Sequence, residues 1–434
     1  MRDGPAVVID SPTLTANRMS QQTVFSGQNN ILECISQTLR KRAVSNVREA
    51  FVNLLDQFGP PVLPLGLEPL RADVRTFLAD WGPSYPAEKR ALSWMGFDAD
   101  FSRSLGAKGW LGLSIPKQYG GNDASPFERF VVSEELLAAG APVTAHWIAD
   151  RQSAPLILRH GTDAQKERYL PAICAGELYF CIGMSEPASG SDLASVRTKA
   201  DRQPDGSWVL NGRKVWTTNA DRCHFMIALV RTDPASERHA GLSQIIVDLT
   251  LPGVMIRPIK DLSGHEHFNE VTFDDVRLDA DALIGVEGDG WAQATSELAF
   301  ERSGPERFLS AMTLFRCLVG AVGPTPDARQ AMEIGRLAAW LIALRSMSIS
   351  VTAQLAGGED PVWAASCVKD LGTGYEQDTV EVSMRLIDSL PSGPRAETTR
   401  RVLAIVQSMA PSFSLRGGTR EILRGILARG LGVR

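Results

Sequence analysis

Two glutamates one helical turn apart, Glu297 and Glu301, fall in the helical pattern of residues 291–302. At i and i+4 their charges repel, so a buried Glu301 would have a raised pKa, which suits a carboxylate that must accept a proton. The same spacing equally describes a solvated helix face. Gly304-Pro305 follows closely. Proline lacks an N–H, and its ring clashes with the carbonyl four residues back, here that of Glu301, so the helix is expected to bend or break at this turn. His265-Glu266-His267 would place two imidazoles on one face of a strand. No third ligand accompanies them, and no metal site is expected. The neighbouring cations Arg213, Lys214 and Arg222 read as solvated. Six cysteines (Cys34, Cys174, Cys181, Cys223, Cys317 and Cys367) form no CxxC pair. That usage is expected of reduced thiols in a cytoplasmic setting.

The elements that must position these residues change character along the 434-residue chain. Net charge is -5, which argues against nucleic acid as the main partner. No apolar run reaches ~18 residues, so no membrane span is expected. The start has no apolar signal core, so secretion is not expected either. Residues 1–30 are polar and aperiodic. Residues 31–58 have helical spacing that Gly59-Pro60-Pro61 stops. Helical patterns cover 127–137, 143–158 and 163–173, the last with Asp163 as a candidate N-cap. From Tyr179 the period becomes 2, and Asn211-Gly212 between two short apolar runs predicts a hairpin turn. Helical spacing returns after Gly288-Asp289-Gly290 and predicts helices at 291–302, 306–319, 327–355, 361–386, 397–409 and 420–429. The expected organisation is an extension, partly disordered, at 1–66, a helical domain at 67–178, a β-domain at 179–287 and a helical bundle at 288–434. The fold class is α+β: N-terminal helices, a central β-barrel or sandwich, and a C-terminal four-helix bundle.

Two segments add a pattern. Met184-Ser185-Glu186-Pro187-Ala188-Ser189-Gly190-Ser191-Asp192 is followed by Asn211-Gly212-Arg213-Lys214-Val215-Trp216-Thr217-Thr218-Asn219. Singly, such pieces are turns, and a tryptophan in a strand is usually core. In this order, with Gly109-Trp110-Leu111-Gly112 before them and Gly418-Thr419-Arg420-Glu421-Ile422 after them, the chain resembles the acyl-CoA dehydrogenase family of flavoproteins from about residue 67 onward.

The resemblance implies an FAD between the β-domain and the C-terminal bundle. It implies that Met184 and Ser185 line the flavin edge, that Trp216 and Thr218 pack on and bond the ring, and that Ser191 meets the thioester arm. Thr419 and Glu421 match positions near the FAD diphosphate and adenosine. It further implies α,β-dehydrogenation of an acyl-CoA thioester, with an electron-transfer flavoprotein or similar acceptor as a partner of a homo- or heterotetramer. Most members carry the proton-abstracting glutamate just before the C-terminal Gly-Thr, where this chain has Gly417. The long-chain and isovaleryl branches instead carry it before an arginine on an earlier helix, which here is Glu301 before Arg302. Glu301 is therefore assigned as the base, and a helix break at Gly304-Pro305 would widen the acyl pocket. A backbone N–H at Gly417 would still serve the thioester carbonyl, so Gly417→Ala is expected to leave substantial activity.

Two further departures concern FAD. The family's arginine with Phe-Gly, and its Gln-x-x-Gly-Gly loop, reach across a subunit interface. This chain has Gly320 to Pro326 and Leu390 to Arg395 there, and neither motif is present. Three roles follow: a self-sufficient dehydrogenase, an FAD-deficient partner in a heteromer like the sterol side-chain type, or an acyl-CoA oxidase of the same fold.

Overall fold

A computed structural model describes residues 58–432 except 237; the side chains of residues 296–301 are also outside the described set. The helical spacing of 31–57 and the extension therefore lie outside it, apart from residues 58–66.

Helices come first: α1 Glu68–Trp81, the single turn α2 Ala87–Arg90, α3 Ala99–Ala107, α4 Pro126–Ala138, α5 Thr144–Ile148, α6 Ala154–His160 and α7 Asp163–Cys174. Local chemistry sets their ends. Ser125 and Glu128 form a capping box at α4. Thr162 and Gln165 do the same at α7, so the N-cap is Thr162 and not Asp163, which is the first helical residue. The continuous helix expected over 143–158 is instead two helices joined by a π-turn at Ala149–Ser153. The extra residue in that turn rotates Arg151 and Gln152 relative to a regular helix.

A seven-stranded mixed sheet follows: β1 Phe180–Gly183, β2 Lys199–Arg202, β3 Trp208–Thr218, β4 Phe225–Arg231, β5 Leu242–Asp248, β6 Val254–Ile259 and β7 Phe268–Leu278. Its order is β1-β4-β2-β3-β7-β6, with β5 on β4. Its core includes Trp208, Leu210, Val247, Val271 and Phe273. Asn211-Gly212 does not turn a hairpin. It lies within the continuous strand β3, where the pairing with β7 shifts register. Asn211 holds that irregularity by bonding Asp275 with both its amide nitrogen and its oxygen, each at 2.9 Å. The hairpin turn is earlier, between β2 and β3, where Gln203 N donates to Ser207 O at 2.8 Å. His265-Glu266-His267 precedes β7 and is not on a strand.

The C-terminal helices are α8 Gly290–Arg302, α9 Met312–Val322, α10 Ala328–Ala356, α11 Val362–Leu386, α12 Pro394–Phe413 and α13 Arg420–Gly430. Helices α9, α10 and α12 all pack on α11. α11 buries Tyr375, Val368 and Val382 completely. The helix expected to begin at Glu306 starts at Met312 instead, because Gly304-Pro305 opens a single 3₁₀ turn, Pro305–Arg307. Helix α10 is long and apolar enough to cross a membrane. Here it packs on α4 and α11.

Candidate active site

The first motif and the second meet in the sheet. Val215 N donates to Ser185 O at 2.9 Å. Lys214 Nζ donates to Met184 O at 3.2 Å, to Leu229 O at 2.6 Å and to Glu186 Oε1 at 2.8 Å. Lys214 is thus fully buried and not solvated. Glu186 also accepts from the backbone of Arg197 and Thr198. Burial pushes the Glu186 carboxyl up, but the Lys214 charge and these bonds outweigh it, leaving it below the usual carboxylate range. Burial holds Lys214 down, at about 8, against the attraction of Glu186.

Beyond Lys214 the β3–β7 register shifts again, before Thr217. Trp216 sits on this irregularity with a left-handed backbone, φ 60°. A bulge re-aims a side chain, and a non-glycine residue at positive φ is a strained position that recurs at functional sites. The indole is 57% exposed and meets Phe268 edge-on at 5.9 Å. Thr218 follows on the strand. Asn219 ends it, with its N–H bonded to His267 O at 2.7 Å and its side-chain amide to Thr144 Oγ1 at 3.2 Å. Ser191 is exposed in the loop after β1.

A second cluster lies in the helical bundle. Helix α8 ends at Arg302, one residue after Glu301 and before Gly304-Pro305, as the proline argument expects. Arg302 Nε donates to Gly417 O at 3.1 Å. Gly417 has φ 69°, and a Cβ built on it would lie 3.1 Å from the Arg307 guanidinium. The benign alanine expected there is therefore corrected: the position is left-handed and its side faces a buried cation. The preceding residue, Arg416, is paired with Glu376 at 2.5 Å and lies over Trp94. Burial lowers the Arg416 pKa against the charge of Glu376. Glu376 also accepts from Ser310 N at 2.8 Å. Among the described residues the Gly417 N–H has no backbone partner, so it is free to donate elsewhere. Thr419 caps α13, and Glu421 lies exposed in its first turn.

The two segments that lack the interface motifs also meet each other. Arg395 Nη1 donates to Gly320 O at 3.4 Å. From sequence, Lys214 reads as a solvated cation, and Arg307 and Glu376 are not singled out. Only Lys214, inside a quoted motif, carried a signal.

Residues 67–177 match the acyl-CoA dehydrogenase N-terminal domain and residues 181–276 the middle domain. The chain is 34% identical over 382 residues to the acyl-CoA dehydrogenase IpdE1 of Mycobacterium tuberculosis, covering 83% of this chain and 96% of that one. This chain belongs to the acyl-CoA dehydrogenase family. It is also 34% identical to acyl-CoA dehydrogenase FadE34 of the same organism over 83% of its own length, but spans only 48% of FadE34. Among solved structures it is similar to the Tcur3481-Tcur3483 steroid ACAD, with a TM-score of 0.74, 27% identity and coverage of 87% of this chain and 100% of that one. The ChsE4-ChsE5 complex from Mycobacterium tuberculosis gives a TM-score of 0.71 at 29% identity, covering 86% and 99%.

Family members use FAD, and the sheet carries features that fit it. The Trp216 indole offers a flat apolar surface that this chain leaves open, held on a bulge at positive φ. The hydroxyls of Ser185 and Thr218 stand on the two segments joined by Lys214 and Val215.

Proposed function

We propose that this chain catalyses FAD-dependent α,β-dehydrogenation of an acyl-CoA thioester to the trans-2-enoyl-CoA, with Glu301 as the α-proton base. The observation that carries the reading is the Arg302–Gly417 bond at 3.1 Å. It ties the helix end that bears Glu301 to the turn where the carboxylate of most family members is replaced by glycine. The chain's own work has three parts. Glu301 takes the proton from the carbon next to the thioester. The Gly417 N–H donates to the thioester oxygen, where negative charge grows as that proton leaves. Met184, Ser185, Trp216 and Thr218 would hold the flavin, while Ser191 would meet the thioester arm and Thr419 and Glu421 would lie near the FAD diphosphate and adenosine. Bound FAD supplies the acceptor for the hydride from the β-carbon.

A heteromeric assembly is the second element of the proposal. The segments at Gly320 and Arg395 lack the family's interface motifs and lie against each other, so one contiguous patch lacks the groups that reach a neighbouring subunit's FAD. The similar ChsE4-ChsE5 structure is a complex. A partner that carries those groups would complete the site, and an electron-transfer flavoprotein or similar acceptor would reoxidise the flavin in the cytoplasm. Purification alone and with the products of neighbouring genes, followed by flavin content and flavin bleaching with a panel of acyl-CoAs, tests both parts. Peroxide formation during turnover would favour an oxidase instead.

A further inference from the structure

A cavity of about 250 Å³ opens beside the helix break, with Ser303, Gly304 and Pro305 in its wall. The opposite wall comes from α4, the π-turn and α6. Much of the lining is apolar, including Ile115, Phe130, Leu156 and Leu355. Three arginines also face it, Arg129, Arg151 and Arg159, and among the described residues that line it none is acidic.

These arginines differ. Arg151 is neutralised by Glu306 at 2.9 Å, bonds Ser133 at 2.9 Å and lies over Trp147. Arg159 is exposed. Arg129, in the first turn of α4, makes one hydrogen bond, from Nη2 to the carbonyl of Arg151 at 3.3 Å. Among the described residues no carboxylate pairs with it. Burial, followed by the charge of Arg151, lowers its pKa to about 10 against the more distant charges of Asp150 and Glu306. Arg129 is thus a half-buried guanidinium that no carboxylate among the described residues contacts directly, and its planar fork is suited to a carboxylate.

We propose that this cavity receives the acyl group and that Arg129 binds a carboxylate carried at the end of that group remote from the thioester. The substrate class is then the mono-CoA thioester of a dicarboxylic acid, with an apolar stretch between its two ends. The proposal rests on the functional reading above, because that reading places Ser303 to Pro305 next to the reacting carbon. It makes Arg129 a specificity residue with no part in the proton transfer.

The test uses the FAD-loaded holoenzyme, with its partner subunit if one is needed, and two matched pairs: hexanoyl-CoA against adipoyl-CoA, and octanoyl-CoA against suberoyl-CoA. The wild type should favour the carboxylated member of each pair in kcat/KM. Arg129→Met, similar in length and uncharged, should lose about 10- to 100-fold on the carboxylated thioesters and stay within about 2-fold on the others. Arg129→Lys, which keeps the charge, should retain part of the preference. Equal use of both members by the wild type, unchanged in Arg129→Met, overturns the carboxylate proposal and leaves the dehydrogenase reading intact. An equal loss on all four thioesters also overturns it, since Arg129 would then serve the CoA moiety they share. No flavin reduction by any thioester overturns both.

Discussion

Arg302 Nε and the carbonyl of Gly417 are 3.1 Å apart, so the end of α8 and the turn before α13 are one structural unit although 115 residues separate them in sequence. Gly417 contributes to this unit through its backbone, with φ 69° and Arg307 against its open side.

Gly417→Ala should therefore be damaging. A left-handed alanine costs about 1–2 kcal/mol, and the methyl must also displace the Arg307 guanidinium. We expect a lower Tm and reduced flavin reduction, measured by thermal denaturation and anaerobic mixing. Gly320→Ala is the control: it lies within α9 with nothing within 4 Å of the added methyl, and should be neutral or stabilising by about 0.5–1 kcal/mol.

Lys214→Met tests the buried pair that Lys214 of β3 forms with Glu186. It leaves Glu186 without its cation, at an expected cost of about 3–5 kcal/mol at neutral pH. The pH dependence has a definite sign. In the wild type the Glu186 pKa lies below its unfolded value, so the carboxylate stabilises the fold above the unfolded pKa and that contribution is lost as pH falls through the folded one. Without Lys214, burial raises the pKa of Glu186, and protonation relieves the buried charge. The Tm gap between variant and wild type should then narrow as pH falls from 7 toward 4. A gap independent of pH would show that the ion pair is not its source.

Trp216→Asn separates folding from cofactor binding. Asparagine tolerates the left-handed backbone at 216 better than tryptophan does, and the indole is already 57% exposed. The apo-protein Tm should stay level or rise, while FAD affinity, read by fluorescence titration, should fall about 10-fold. A large drop in apo-protein Tm with unchanged affinity would make Trp216 a packing residue.

The chain purified alone should retain FAD poorly, and a partner that supplies the missing interface groups should restore it. The readout is flavin absorbance per chain after gel filtration, with the mass of the assembly. A stable homotetramer with one FAD per chain would contradict the heteromeric assembly.

Much of this architecture was legible in the chain. The change from helical to alternating periodicity at Tyr179 and back after Gly290 marks the sheet, and Pro305 fixes the end of α8. Asn211-Gly212 misled because local turn preference was overridden by strand pairing: Asp275 on β7 satisfies the Asn211 side chain inside the sheet. The π-turn at Ala149–Ser153 has no period to reveal it. Lys214 looked like a surface cation because its three partners, Met184, Glu186 and Leu229, come from other segments, one close by in sequence and two from the preceding motif. The facing of Gly417 by Arg307 depends on two helix ends meeting, which spacing along the chain does not disclose.

The central claim is that Glu301 removes the α-proton. Its most direct measurement is the rate of flavin bleaching by a good acyl-CoA substrate, under anaerobic single-turnover conditions, in wild type, Glu301→Gln and Glu297→Gln. Glutamine keeps the size of the side chain but cannot accept the proton, so Glu301→Gln should be slower by about 10²–10⁴-fold, with flavin content and substrate affinity little changed. Glu297→Gln should stay close to wild type. A Glu301→Gln enzyme that reduces its flavin at the wild-type rate would contradict the account, and loss of activity in Glu297→Gln alone would place the base one helical turn earlier.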